Sequence, residues 1–212
     1  MKRNIDLSVY VILDIDYIIS LDKNWRQCLL STIAGGATAI QLRSKSLNDR
    51  MFHEIALGAL KICRRKHIPF IINDRVAAAM AAGADGVHVG KSDMPFGAVK
   101  KLVKDDMIIG VSASSLKEAV VCDRLKPAYI GVGPVFATGQ KSTKPVGASS
   151  LKKIAGKINT PMVAIGGING YNIARLKKIG IKNYSFISAV FSSDDIRGQT
   201  RRLRSIITSK EI

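Results

Sequence analysis

Two carboxylates in the segment INDRVAAAMAAGADGVHVGKSDMP, residues 72–95, could bind a metal ion together. Asp74 and Asp93 each come just after a short apolar run. If the runs are neighbouring strands of a parallel barrel, both acids lie on one side of its mouth. Mg²⁺ needs few protein carboxylates, because water and phosphate oxygens fill its other positions. Taken singly, either Asp is better explained as the N-cap of the helix after it, since Asp is a preferred capping residue.

Side chains and glycines that suit phosphate binding occur at the ends of the other apolar runs. These are Arg43, Lys45, Asn73, Ser112, Thr138, Gln140, Lys141, Gly166, Gly167 and Ser188. The glycine-rich string IGGI and the later string ISA predict one phosphate site, built from backbone N–H groups and a helix N-terminus. Arg43, Lys45, Asn73 and Lys141, in company with the two acids, predict a second and more highly charged anion that is bridged by a divalent cation.

Eight short runs rich in β-branched residues alternate with helical patterns along the chain. They predict strands over 9–14, 38–43, 69–74, 86–90, 107–113, 129–136, 161–168 and 184–190. The helical patterns cover 24–36, 48–66, 75–83, 95–103, 115–125, 149–158, 170–180 and 194–207. This alternation predicts an α/β protein, a single (β/α)8 TIM barrel with residues 1–212 as one domain. A doubly wound sheet would usually show G-x-G-x-x-G before its first helix, and that motif is missing after the first run.

The second run places Gln41 and Arg43 on one parity and Ile40 and Leu42 on the other. In a barrel strand one parity faces the helices and the other faces the lumen, so we expect Gln41 and Arg43 to point inward. A buried arginine is costly unless it has an anion to bind, which favours a ligand there. His88 has the same inward parity, but a lone inward histidine is more often a satisfied core residue than a catalyst.

The formal net charge of +17 and the pI near 10.0 raise the question of nucleic-acid binding. The basic residues are spread over five helices, without interleaved aromatic residues or a recognisable DNA-binding motif. A solvated basic surface that attracts anionic metabolites is the better interpretation. No apolar stretch approaches the roughly 18 residues that span a bilayer, so we expect neither nucleic acid nor membrane as a partner. Cys28, Cys63 and Cys122 show no disulfide or metal spacing and favour a reducing, cytoplasmic location.

Seven strings resemble, in order and spacing, those of the thiamine phosphate synthase family: QLRSK, INDR, GVHVGKSD, GVSAS, YIGVGPVFAT, VAIGGI and FISAV. The resemblance implies a (β/α)8 barrel transferase that joins a pyrimidine methyl diphosphate to a thiazole phosphate and releases diphosphate, with Mg²⁺ as cofactor. The implied mechanism is dissociative: diphosphate leaves, a stabilised pyrimidine methyl cation forms, and the thiazole nitrogen captures it. The expected binding partners are then small phosphorylated molecules, and a homo-oligomer is possible.

The resemblance also implies roles for individual residues. Those implied to hold the pyrimidine diphosphate are Gln41, Leu42, Arg43, Ser44, Lys45, Asn73, Ser112 and Lys141, and those implied to be catalytic are Arg43, Lys45, Ser112 and Lys141. The implied Mg²⁺ ligands are Asp74 and Asp93. Those implied to hold the thiazole phosphate are Thr138, Gly139, Gln140, Gly167, Ile187 and Ser188. The residues themselves agree with catalysis by positioning and electrostatics, because they offer no paired general acid and base.

Two departures from the family pattern bear on the activity. Lys91 stands where the family usually has Gln, and it adds a cation near the expected metal site. Ser114 stands where His is usual. The related thiazole tautomerase family relies on that His for proton transfer, so its loss favours the synthase. A sugar-phosphate isomerase or epimerase on the same fold would need a base beside a single phosphate site.

A third departure lies in the string ATGQKSTK, where Ala137 and Gln140 replace parts of a usual Pro-Thr-x-Thr-Lys pattern. The contiguous register makes Lys141 the diphosphate cation, and we favour it because Thr138 directly follows the sixth strand. A register with a three-residue insertion would use Thr143 and Lys144 instead.

Overall fold

The computed structural model describes residues 5–137 and 144–209, which form a closed barrel of eight parallel strands in chain order. The strands are β1 (Val9–Asp14), β2 (Ala39–Arg43), β3 (Phe70–Asn73), β4 (Gly86–Val89), β5 (Ile108–Ala113), β6 (Tyr129–Val132), β7 (Met162–Ala164) and β8 (Tyr184–Phe186). The barrel closes where β1 pairs with β8, with Val9 opposite Tyr184. The predicted fold class is confirmed, whereas one domain over the whole of 1–212 stays a prediction.

Helices connect the strands on the outside of the barrel. They are α1 (Ile15–Ser20), α2 (Trp25–Gly35), α3 (Asp49–Arg65), α4 (Val76–Ala82), α5 (Phe96–Leu102), α6 (Leu116–Arg124), α7 (Gly147–Ala155), α8 (Ile173–Lys177), α9 (Ser188–Phe191) and α10 (Ile196–Thr208). Asn24, Asn48 and Ser115 start three of them, since each side chain accepts backbone N–H groups of the first turn. Gly36 and Gly83 end two of them in the left-handed conformation that glycine adopts without strain.

The sequence pattern overestimates the last three strands and misses two short helices. Strand β6 ends at Val132, directly before Gly133 and Pro134, since proline has no N–H for a strand ladder. Strand β7 ends at Ala164, and Gly166 and Gly167 follow with positive φ. The prediction of a strand over 184–190 is wrong at its end, because Ser188–Phe191 forms α9. Helix α1 follows β1 without a loop, since the Asp14 side chain accepts the Tyr17 N–H and caps it.

Two apolar clusters correspond to the two faces of the barrel wall. The larger cluster lies between strands and helices and contains Ile40 and Leu42. The smaller one fills the barrel lumen and includes Tyr10, Ala39 and Tyr129. Because Ala39, Gln41 and Arg43 share one parity of β2, the second residue of this set also points into the lumen, where it is buried. The inward orientation expected for Gln41 is confirmed.

None of the helices in the described ranges is long and apolar enough to cross a membrane. Cys28 and Cys63 are buried, Cys122 is half-buried, and all three are free thiols.

Candidate active site

The carboxyl ends of all eight strands meet at one mouth, because every strand pair in the barrel is parallel. Within that mouth the register places Asp14 of β1 beside Arg43 of β2, and Asn73 of β3 beside His88 of β4. The residues that sequence reasoning assigned to strand ends therefore converge on one surface wherever the structure describes them.

The acid pair lies together, as the sequence predicted. Asp74 follows β3 with φ of 60°, a left-handed conformation, and its N–H donates to the His88 carbonyl at 2.8 Å. Asp93 lies in the loop after β4, and its Oδ2 accepts the Gly90 N–H at 2.7 Å. Burial raises the pKa of Asp93, and its hydrogen-bonding contact with Asp74 raises it further. Two carboxylates in contact repel each other when both are ionised, so a cation bound between the two side chains would stabilise their ionised forms.

The capping interpretation of these acids is wrong. Helix α4 begins after Arg75 and α5 after Pro95, and neither helix has a side-chain cap. Asp74 instead pairs with the Lys45 ammonium, and Asp93 closes a turn within its own loop. The described residues contain no group of three or more His, Cys, Asp or Glu side chains that could hold a metal ion. A pair of acids is nevertheless enough for Mg²⁺, which keeps several water ligands and takes others from phosphate.

Arg43 is half-buried, rather than buried as the sequence predicted, and it already has an anionic partner. Its guanidinium pairs with Asp14, whose side chain is only 2% exposed while that of Arg43 is 23% exposed. The inward arginine therefore has an anion without a ligand, because the end of β1 supplies a carboxylate. The remaining exposed edge of the guanidinium faces the mouth, where it can bind a further anion.

Asp16 organises the loop that follows β2, and sequence reasoning missed it. Its Oδ1 accepts the hydroxyls of Ser44 at 2.7 Å and Ser46 at 2.6 Å, and its Oδ2 accepts the Lys45 N–H at 2.6 Å. These hydrogen bonds lower the pKa of Asp16 in spite of its partial burial. The signal was present in the sequence, since Asp16 follows the first strand just as Asp74 and Asp93 follow later ones.

A chain of polar side chains crosses the lumen beneath the mouth. Gln41 Nε2 donates to Tyr10 Oη at 2.6 Å, and Tyr10 Oη lies 2.7 Å from Tyr129 Oη. His88 Nδ1 lies 3.0 Å from Tyr129 Oη, and His88 Nε2 lies 2.8 Å from Ser112 Oγ. Burial lowers the pKa of His88 to about 4, so the imidazole is neutral at pH 7. The expectation that His88 is a satisfied histidine is confirmed.

The remaining residues that the sequence assigned to the site lie in different places: some line the mouth, one points away from it, and some lie outside the described residues. Leu42 packs outward in the shell under the helices, so that only its backbone can reach a ligand. The Asn73 amide is half-buried and makes no side-chain hydrogen bond within residues 5–137 and 144–209. Gly167, with φ of 68°, Ile187 and Ser188 lie after β7 and β8. Outside the described residues are Thr138, Gly139, Gln140, Lys141 and Thr143.

Two of the departures from the family pattern meet at one residue. Lys91 Nζ donates to Glu118 Oε1 at 3.0 Å, and the Ser114 N–H and hydroxyl both donate to Glu118 Oε2. This cluster joins the loop that carries Asp93 to the loop that follows Ser112. Because the Lys91 side chain is 81% exposed, its ion pair adds little to stability.

A (β/α)8 barrel whose mouth gathers cations around a pair of acids defines an enzyme class that binds small phosphorylated molecules. A sequence model described as thiamine monophosphate synthase matches residues 9–190 of this chain. The thiamine-phosphate synthase of Ruminiclostridium cellulolyticum is 39% identical over 211 residues, which cover 99% of this chain and 100% of that protein. That of Clostridium novyi is 38% identical over 205 residues, covering 96% and 100%.

A solved structure is similar to this chain in both fold and sequence. Thiamine phosphate pyrophosphorylase from Pyrococcus furiosus superposes with a TM-score of 0.87 at 35% identity, covering 95% of this chain and 96% of that chain. The chain therefore belongs to the thiamine monophosphate synthase family of transferases. The family resemblance noted in the sequence is confirmed.

Proposed function

We propose that this chain condenses 4-amino-2-methyl-5-pyrimidinylmethyl diphosphate with thiazole phosphate to give thiamine phosphate and diphosphate. The observation that carries the proposal is the acid pair Asp74 and Asp93, with Lys45 on one acid and Arg43 at the neighbouring strand end. This arrangement would suit a diphosphate bound together with a metal ion. Family membership and the relatives' printed names support the same reaction.

Mg²⁺ is the cofactor that fits this acid pair. Asp74 and Asp93 would hold the ion, and its positive charge would relieve the contact between the two carboxylates that raises the pKa of Asp93. Lys45, which pairs with Asp74 in the free protein, would be available to a diphosphate oxygen. When bound, Mg²⁺ supplies positive charge to the diphosphate oxygens on which negative charge develops.

The diphosphate has a set of donors around it. Arg43 and Lys45 offer charged donors, and the amide of Asn73 and the hydroxyl of Ser112 offer neutral ones. Lys141 adds a further cation in the contiguous register of the loop after β6. Gly167, Ile187 and Ser188 take the thiazole phosphate on the opposite side of the mouth. Glycine is needed at 167 because φ is positive there and a Cβ would lie 2.8 Å from Phe136 Cβ.

The reaction exchanges one bond for another. The bond between the pyrimidine methylene carbon and the diphosphate oxygen breaks first, and its electron pair leaves with the diphosphate. The thiazole nitrogen then donates its lone pair to the carbon of the pyrimidine methyl cation. Neither step requires a proton transfer. This agrees with a barrel mouth that offers charged groups and hydrogen-bond donors. The rate acceleration then comes from positioning of the substrates and from electrostatic stabilisation.

The cellular location and the binding partners follow from the same proposal. Three free thiols support a cytoplasmic location. The partners are the two small phosphorylated substrates, and the formal net charge of +17 favours the approach of these anions.

Calorimetric titration with the pyrimidine diphosphate, in the presence and absence of Mg²⁺, tests the proposal. We expect tight binding that depends on Mg²⁺ in the wild type and loses that dependence in Asp74→Asn. Asparagine suits this test because, like aspartate, it tolerates the left-handed backbone at residue 74. Asp6→Asn, which changes an exposed acid before β1 at the opposite end of the barrel, should behave as the wild type. Binding that is independent of Mg²⁺ would contradict the proposal and favour a single-phosphate enzyme.

A further inference from the structure

The polar chain beneath the mouth is buried, and its members are held by the packing of the barrel. Tyr10 and Tyr129 are fully buried, and Gln41 and His88 are at most 4% exposed. The Tyr129 ring stacks on the His88 ring at a centroid distance of 5.4 Å. Glycine at position 110 makes this possible, because a Cβ there would lie 2.2 Å from Tyr129 Cζ.

The donors and acceptors of these side chains allow the hydrogen bonds across the lumen to run in one direction only. The Gln41 amide presents Nε2 to Tyr10 Oη, so in this orientation Tyr10 Oη accepts there and its own proton goes elsewhere. Its one other partner among the described residues is Tyr129 Oη. Tyr129 therefore accepts from Tyr10, and the Gln41 amide is a further donor to it. His88 Nδ1 is left as the acceptor for the Tyr129 proton.

The histidine passes the direction on. A neutral imidazole that accepts at Nδ1 carries its proton on Nε2, and this N–H donates to Ser112 Oγ. With Gln41 Nε2 facing Tyr10, the opposite direction would leave the buried Tyr10 proton without an acceptor within residues 5–137 and 144–209, which is costly for a buried hydroxyl. Ser112, half-buried at the mouth, then has its acceptor capacity directed to His88 and its own proton directed to the ligand.

We propose that Gln41, Tyr10, Tyr129 and His88 form a one-way hydrogen-bond relay that fixes Ser112 as a donor to an acceptor atom of the pyrimidine diphosphate. His88, Tyr129 and Tyr10 are positioning residues, since they reach the substrate only through Ser112. The occupant of the mouth is taken from the proposed function. The direction of the relay is independent of that function and can be measured in the free protein.

The tautomer of His88 is the first test, read from ¹⁵N NMR of the imidazole. The chain has three histidines, so the double variant His53→Gln/His67→Asn leaves His88 as the one observed ring, and asparagine tolerates the left-handed backbone at 67. We expect the proton on Nε2 and a bare Nδ1 at pH 7. In Tyr129→Phe on the same background Nδ1 loses its donor, and we expect the preference for the Nε2–H form to weaken. A proton on Nδ1 in the parent, or on both nitrogens, would overturn the proposal.

Steady-state kinetics supply the second test. Tyr129→Phe should raise the KM for the pyrimidine diphosphate about 3- to 10-fold, as expected when one hydrogen bond loses its fixed orientation. Tyr184→Phe is the matched control, because it removes another buried hydroxyl, which donates to the Ile181 carbonyl outside the relay. A KM that changes equally in both variants would overturn the relay. A wild type that forms no thiamine phosphate would refute the proposed function, while the tautomer would still decide the relay.

Discussion

Asp93 is the residue whose replacement separates a catalytic role from a structural one. Asp93→Asn removes a negative charge that faces Asp74, so without Mg²⁺ the variant should melt no lower than the wild type. Turnover should fall about a hundredfold, the usual loss when a major electrostatic contact to a transition state is removed. Thermal unfolding and turnover at limiting Mg²⁺ measure the two effects. Unchanged turnover would leave Asp93 with its bond to the Gly90 N–H as its sole role.

Arg43 offers a test of geometry at constant charge. Arg43→Lys should weaken binding of the pyrimidine diphosphate about tenfold, because an ammonium cannot hold Asp14 and two phosphate oxygens as a planar guanidinium can. Arg50→Lys, on the exposed surface of α3, keeps the same chemical change away from the mouth and should bind normally. The dissociation constants come from calorimetry, and equal values for the wild type and Arg43→Lys would place Arg43 outside the diphosphate site.

Single residues were predicted from the sequence to the extent that strand parity and strand ends place them. Gln41 points inward and Asp74 lies beside Asp93, as alternation in a barrel requires. The pairing of Arg43 with Asp14 was not predictable in the same way, because it joins residues 29 positions apart. Register between strands, which brings Asp14 opposite Arg43, is a property of the assembled sheet.

The loop after β2 is positioned by the element before it in the barrel, and Asp16 is the contact that does this. Asp16→Asn exchanges an acceptor-only carboxylate for an amide with one acceptor atom, so at least one of the three hydrogen bonds to residues 44–46 is lost. We expect a KM for the pyrimidine diphosphate several-fold higher, since Lys45 is then held less firmly.

Asp123→Asn is the matched control for this loop. Asp123 also accepts two backbone N–H groups, those of Asn159 and Thr160, but it does so before β7 at the far end of the barrel. The comparison of KM values and melting temperatures separates positioning from general destabilisation. If both variants lose stability and neither changes KM, the loop does not depend on Asp16.

At the level of elements, the sequence predicted strands and helices where periodicity is long and missed them where it is short. Helix α3 was expected over 48–66 and spans Asp49–Arg65, with Asn48 as its cap. Helix α9 has four residues, Ser188–Phe191, and its string reads equally well as the end of a strand. Four residues provide about one helical turn, which is too short for a 3.6-residue period to be recognised.

The whole molecule should respond to acid through His88. Burial lowers the pKa of His88 from 6.5 to about 4, so the folded protein binds this proton more weakly than the unfolded chain does. The resulting stability is fully present above pH 6.5 and is lost as the pH falls towards 4. Without divalent cations, the free energy of unfolding of the wild type should fall by roughly 2–3 kcal/mol more than that of His88→Asn between pH 7.5 and 4.5.

Denaturant unfolding of both proteins at the two pH values gives this difference, and titration of the carboxylates they share cancels from it. If the free energy of unfolding falls equally in the two proteins, the pKa of His88 is not lowered by folding.

The central claim is that the whole barrel, with its cationic mouth and its acid pair, makes thiamine phosphate. Incubation of the purified chain with the pyrimidine diphosphate, thiazole phosphate and Mg²⁺, followed by quantification of both products, tests it most directly. We predict thiamine phosphate and diphosphate in equal amounts, with turnover that stops when Mg²⁺ is chelated and that is strongly reduced in Asp93→Asn. Diphosphate release without thiamine phosphate, or no reaction of either substrate, would contradict the account.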